Sequence, residues 1–125
     1  MNKKKILIID SDGYFLRMYE QLLETIDFEV ITAGDGDRGL YLIQEKRPDL
    51  IVSEIKLERQ SGLELLEKVK ANPQLSEIPF IFLTTSAVRQ DIKTALSLGA
   101  SEYLIKTHHS PTEVIDVIIQ LLKKR

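Results

Sequence analysis

A parallel α/β sandwich is predicted by three features of this 125-residue chain. Five short apolar runs alternate with five longer amphipathic stretches. Turn or capping residues stand at the junctions. Strand-then-helix repeats of this kind give a parallel sheet with helices on both faces.

The first run, residues 5–10, is Lys5-Ile6-Leu7-Ile8-Ile9-Asp10. Its unbroken apolar centre suits a strand covered on both sides. A helix over 13–26 follows, with Asp12 placed to cap it. The second strand is read at Glu29–Ala33 and the second helix at 37–46. The third strand, 50–54, is again continuously apolar over Leu50–Val52 and ends in Glu54. The third helix, Gly62–Ala71, opens with Ser61-Gly62-Leu63-Glu64, the spacing of a capping box. The fourth strand is Phe80–Thr84, and Pro79 precedes it just as Pro48 precedes the third. A fourth helix over 88–98 ends at Gly99, which can take the left-handed conformation of a helix terminus. The fifth strand is Glu102–Ile105. The last helix, 111–124, opens with Ser110-Pro111-Thr112-Glu113, a second capping box with proline at the first turn. The resulting architecture is flavodoxin-like: a three-layer sandwich with strand order 2-1-3-4-5 and a site at the carboxyl ends of the central strands.

Composition limits the function classes. At 125 residues one domain is expected, 1–125, with 43% hydrophobic and 29% charged residues, as in ordinary globular proteins. A net charge of −2 gives no bulk attraction to nucleic acid. The basic clusters Lys3-Lys4-Lys5 and Lys123-Lys124-Arg125 are short and sit at opposite chain ends. There is no cysteine, hence no disulfide framework or thiolate zinc site. No stretch is long enough to span a membrane, and the apolar start is broken by Asp10, unlike a signal peptide. A cytoplasmic protein with no nucleic-acid or membrane partner of its own is the expectation.

The predicted fold brings Asp10, Glu54, Thr84 and Lys106 to one edge of the sheet, from four different strands. These strand ends carry a specific resemblance. The segments Lys5-Ile6-Leu7-Ile8-Ile9-Asp10-Ser11-Asp12, Pro48-Asp49-Leu50-Ile51-Val52-Ser53-Glu54, Ile78-Pro79-Phe80-Ile81-Phe82-Leu83-Thr84 and Gly99-Ala100-Ser101-Glu102-Tyr103-Leu104-Ile105-Lys106 resemble, in order and spacing, the receiver domain of two-component response regulators. The resemblance covers the whole chain. It implies a phosphoacceptor at position 54 and magnesium held by the residues at 10, 11 and 54. It also implies a hydroxyl at Thr84 and an ammonium at Lys106 for the phosphoryl oxygens, with Thr84 and Tyr103 as switch residues. The chemistry is positioning and charge neutralisation around a transferred phosphoryl group.

Four departures stand out. Ser11 replaces the second acid, and a neutral hydroxyl is a poorer magnesium ligand. Glu54 replaces the acceptor aspartate. The extra methylene displaces the carboxylate by about an ångström, enough to cost about a hundredfold in a positioned reaction. The loop Leu57-Glu58-Arg59-Gln60-Ser61-Gly62 keeps the family's glycine but lacks its proline. Thr107 stands where the family usually has proline, so a trans bond is expected there, with Lys106 displaced. The expectation is an atypical, pseudo-receiver variant: not an enzyme, with no cofactor or only weakly bound Mg2+, acting by protein–protein contact with a histidine kinase or an output protein. In it, Glu54 places its charge where a phosphoryl group would lie and pairs with Lys106. Fewer acids at the site also mean less like-charge repulsion for a metal to offset. The alternative is a working phosphoryl acceptor in a phosphorelay.

A remote alternative is a nucleotide-binding module. Gly34-Asp35-Gly36-Asp37-Arg38-Gly39 spells the dinucleotide fingerprint after a strand. Two carboxylates where a pyrophosphate must approach, and a predicted place on the edge strand, count against it. A turn is expected instead, with Asp35 as cap and Gly34 and Gly36 supplying backbone freedom. His108 and His109 are read as loop residues. The last helix is apolar over about 200° of its circumference, wider than the stripe a covering helix needs. Val117 and Ile119, at the margins of that arc, are the candidate partner interface or homodimer contact if exposed; the equal alternative is a well-buried terminal helix that uses more of its surface for packing.

Overall fold

The computed structural model describes residues 3–124. Its elements follow the order β1 (Lys5–Ile9), α1 (Gly13–Thr25), β2 (Glu29–Ala33), α2 (Gly36–Lys46), β3 (Leu50–Ser53), α3 (Gly62–Ala71), β4 (Phe80–Thr84), α4 (Arg89–Ser97), β5 (Glu102–Ile105) and α5 (Pro111–Lys123). The five strands form one parallel sheet in the order β2-β1-β3-β4-β5. Fold class, strand order and every element agree with the sequence expectation. Boundaries shift by a residue at several ends. The shift that matters is that Asp10 and Glu54 lie just beyond β1 and β3, in the loops at the carboxyl edge.

The period-2 alternation of the strands divides the core into two layers. Leu7 and Ile9, Ile51, and Phe80 and Phe82 point to one face, where α2, α3 and α4 cover them with Leu42, Ile43, Leu65, Leu66, Val69 and Ala95. Ile6 and Ile8, Leu50 and Val52, and Ile81 and Leu83 point to the other. There α1 and α5 supply Tyr19, Leu23, Val114 and Ile118. Both faces are therefore dry, which is why the central strands are unbroken apolar runs.

Local signals operate as expected. Asp12 accepts from the amides of Tyr14 and Phe15, and Asp35 from Arg38. Both capping boxes, Ser61 with Glu64 and Ser110 with Glu113, are complete. The exposed Glu113 carboxyl is held below its usual range, first by the Ser110 amide. Gly99 ends α4 with φ 102°. The glycines at 34 and 36 do not act as expected, since Gly99 is the one glycine with positive φ among the described residues. Gly36 is needed for space: a Cβ there would overlap the backbone of Gln60, against which α2 packs. Gly39 likewise lets α2 approach Ile9. Packing thus accounts for Gly36 and Gly39 but not for Gly34, where a Cβ would meet nothing within 4 Å, and the preceding strand does lie at the sheet edge. The left-handed turn of the β3–α3 loop falls on Arg59, φ 73°.

Of the two readings of Val117 and Ile119, the structure favours packing over full exposure. Both are half-buried, and Val117 packs against the α1/α5 core layer. The wide apolar arc of α5 is mostly used within the domain.

Two predictions follow from this packing. Gly62 begins α3 where a Cβ would overlap the Glu54 carbonyl oxygen and come within 2.8 Å of the Phe82 ring. Gly62→Ala is therefore expected to cost about 1–3 kcal/mol in urea unfolding. Burial pushes the Tyr19 phenol up to about 12 from 10.0. The native state thus disfavours the phenolate. Its contribution to stability is complete below the unfolded value of 10.0 and is lost as pH rises towards about 12. Alkaline unfolding midpoints should rise in Tyr19→Phe relative to the wild type measured under the same conditions.

Candidate functional site

The parallel register places the ends of β1, β3, β4 and β5 side by side. Asp10 and Glu54 are carried past their strands by backbone bonds from the Asp10 amide to the Ala33 carbonyl and from the Glu54 amide to the Ile9 carbonyl, 3.0 and 2.9 Å. Thr84 ends β4, and the Lys106 amide donates to its carbonyl at 2.8 Å. All four predicted residues therefore converge. Asp10, Glu54 and Thr84 are only 2%, 7% and 0% exposed.

Lys106 is the centre of the cluster. Its Nζ lies 2.7 Å from Asp10 Oδ2 and 3.3 Å from Glu54 Oε2. It also sits 4.0 Å from the centroid of the Phe15 ring, whose face attracts a cation. There is no cis peptide among the described residues. The expected displacement of Lys106 does not occur. With no cis bond to Thr107, the side chain reaches both carboxylates.

The remaining acceptors are also engaged. Asp10 Oδ1 accepts from the Asp12 amide at 2.9 Å. Glu54 Oε1 accepts from its neighbour's amide, Ile55, at 2.7 Å, and Oε2 from the Thr85 amide at 3.4 Å. The longer glutamate side chain is what lets one carboxylate turn back to its own loop and also span to β4 and Lys106. Thr84 Oγ1 accepts from the Ser86 amide at 3.1 Å. Ser11 is exposed at the lip of a cleft shared with Ile55, Leu57, Ser61 and Asp91.

These donors and charges bear on a metal. A magnesium ion needs several hard oxygens free to face it. Here Ser11 is neutral, and Asp10 and Glu54 both face the Lys106 ammonium. No group of three or more His, Cys, Asp or Glu among the described residues is placed to hold a metal ion. The residues present do not fit the ion in this arrangement.

Tyr103 is half-buried against Phe82, with ring centroids 6.1 Å apart. Its hydroxyl donates to the Ser86 carbonyl at 2.9 Å, and burial raises its phenol, with the charges of Asp91 and Glu54 adding to the effect. Ser86 Oγ in turn donates to Asp91 at 2.7 Å and accepts from the Val88 amide at 3.3 Å. Val88, the N-cap of α4, makes no side-chain cap bond, and Ser86 ties its amide to Asp91 in the first turn. Phe15 and Ser86 are the site residues that sequence reading missed. Phe15 looks like any apolar position of α1. Ser86 has no capping-box spacing, and its role exists only through contacts across the fold.

Comparisons with known proteins agree with the fold. The family described as response regulator receiver domain matches residues 6–119. The chain is 35% identical over 124 residues to a probable transcriptional regulator, ycf27, of Cyanophora paradoxa, covering 99% of this chain and 50% of that protein. It is 31% identical over 121 residues to the alkaline phosphatase synthesis transcriptional regulatory protein PhoP of Bacillus subtilis, covering 97% of this chain and 49% of that one. The chain thus spans about half the length of these curated relatives. Among solved structures, a CheY-like response regulator receiver domain protein of Methanospirillum hungatei superposes with a TM-score of 0.91 at 30% identity, covering 98% of this chain and 96% of that one. The chemotaxis response regulator CheY4 of Vibrio cholerae gives 0.87 at 25% identity, covering 96% and 99%.

Removing the central cation tests the energetics. Lys106→Met leaves two buried carboxylates facing each other, and a loss of about 3 kcal/mol is expected in urea unfolding. Lys3→Met, which breaks an exposed pair with Asp27, should change stability by less than about 0.5 kcal/mol.

Proposed function

The chain belongs to the response regulator receiver domain family, and we propose that it works as a pseudo-receiver: a signalling module whose partner contacts do not depend on aspartyl phosphorylation. Receiver domains are signalling modules, and nothing in the site calls for catalysis of another kind.

One observation carries the proposal: both Glu54 carboxylate oxygens already have donors, and Oε2 faces the Lys106 ammonium at 3.3 Å. An acceptor must present a free oxygen in line with phosphorus, close to a near-attack distance of about 3–3.5 Å. It must also have its charge and that of the incoming phosphoryl group neutralised. Here Lys106 neutralises Glu54 and Asp10 instead. The Glu54 charge takes the place of a phosphoryl charge beside Thr84, Thr85 and Lys106, so no metal is required. No described helix is long and apolar enough to cross a membrane. We assign the module to the cytoplasm, with a histidine kinase or an output protein as partner.

The retained Thr84 and Lys106 favour one competing reading, a working phosphoryl acceptor. Intact mass after incubation with magnesium and a small phosphodonor separates the two. The wild type is expected to gain nothing, while Ser11→Asp/Glu54→Asp gains one phosphoryl group, since the scaffold is otherwise complete. A phosphoryl group on the wild type would overturn the proposal.

A further inference from the structure

The Lys106 ammonium has three N–H groups and no acceptor to offer. It donates to Asp10 Oδ2 at 2.7 Å, and Glu54 Oε2 lies 3.3 Å away. The third neighbour is the face of the Phe15 ring, with Nζ 4.0 Å from its centroid. Among the described residues the ammonium has no other hydrogen bond, ion pair or ring contact. The ring thus completes the surroundings of a cation whose side chain is only 18% exposed. A ring face carries negative potential and attracts a cation most strongly where water is excluded.

We propose that Phe15 is a positioning residue of the site: its ring holds the Lys106 ammonium on Asp10 and Glu54. The ring is itself tied to the same cluster. The Phe15 amide donates to Asp12 Oδ1 at 3.3 Å, and the Asp12 amide donates to Asp10 Oδ1 at 2.9 Å. The other oxygen of Asp10 accepts from Lys106. Asp10, Asp12, Phe15 and Lys106 therefore form a closed circuit. One carboxylate sets both the cation and the helix turn that carries the ring. The ring also packs on that of Tyr19, with centroids 4.9 Å apart, and Tyr19 is only 3% exposed.

The competing role for Phe15 is plain packing, since it does lie against the α1/α5 core layer. The space around the cation favours positioning. A hollow of about 250 Å³ opens beside it, lined by Phe15, Met18, Leu83, Lys106 and His109 among others. The flexible lysine stem has room to turn into that space, away from Glu54, and the attraction of the ring opposes the turn. A leucine at position 15 would fill an apolar place on the helix but would present no negative face to the ammonium. This hold on Lys106 stands whether or not Glu54 takes a phosphoryl group, which the phosphodonor assay tests separately.

A double-mutant cycle in urea unfolding, with Phe15→Leu and Lys106→Leu in the full chain, separates the cation from packing, because the packing loss is common to both backgrounds. With Lys106 present, Phe15→Leu is expected to lower the folding equilibrium constant about fivefold more than it does beside Lys106→Leu. Proton NMR reads the contact directly. The ε-methylene protons of Lys106, beside the ring face in the wild type, should lie upfield of an ordinary lysine. Phe15→Tyr, which keeps a ring face, should keep that shift, and Phe15→Leu should lose it. Circular dichroism checks that the variants are folded. If Lys106→Leu does not fold, the NMR comparison needs only the Phe15 variants and decides alone. An additive cycle overturns the proposal, as does an ε-methylene shift that Phe15→Leu retains or Phe15→Tyr loses.

Discussion

One buried cation holds the carboxyl edge of this domain together. Lys106 Nζ stands between Asp10 and Glu54 at 2.7 and 3.3 Å, in a place where three of the four site residues are nearly inaccessible to water. Buried carboxylates are tolerated only when charge and hydrogen bonds compensate them. Here an ammonium and three backbone amides compensate the carboxylates, and an aromatic face lies against the ammonium. The β1–α1, β3–α3 and β4–α4 loops each send a backbone amide to one of these two carboxylates. The conformation of the whole edge is thereby tied to the charge state of a single cluster.

The sheet makes that cluster possible. Two dry faces fix the register of the central strands, since a slip of one residue would turn each strand's side chains to the opposite layer. Fixed register sets the ends of β1, β3 and β4 level with each other. Close approach then completes the site from below. Gly62 lets α3 begin directly against the Glu54 carbonyl, and Gly36 lets α2 lean on the β3–α3 loop. The site is thus a consequence of packing as much as of its own polar residues.

From the cluster, contacts lead outward in two directions. Through the Thr85 amide and Ser86 they reach Asp91 on α4 and the Tyr103 hydroxyl on β5. Through Phe15 they reach α1, next to the exposed ridge of Tyr14 and Met18. The cluster of Glu54 and Lys106 is therefore in contact with both the α4–β5 side and the α1 side of the domain.

The sequence by itself determined the fold class, the strand order, the helix caps and the four residues at the carboxyl edge. These are written in local periodicity, capping spacing and the order of segments, which need no distant contact to be read. The site's internal arrangement was legible only in part. The pairing of Glu54 with Lys106 followed from opposite charges at the ends of β3 and β5, on the same edge of the sheet. That Lys106 keeps its place despite Thr107, and that Phe15 and Ser86 join the site, depends on side chains brought together from positions far apart in the chain. Exposure was decided by tertiary structure as well. The wide apolar arc of α5 suggested a free surface, and the ridge on α1 did not. A helix's own sequence gives the width of its apolar face, but neighbouring helices, strands and loops decide how much of that width they cover.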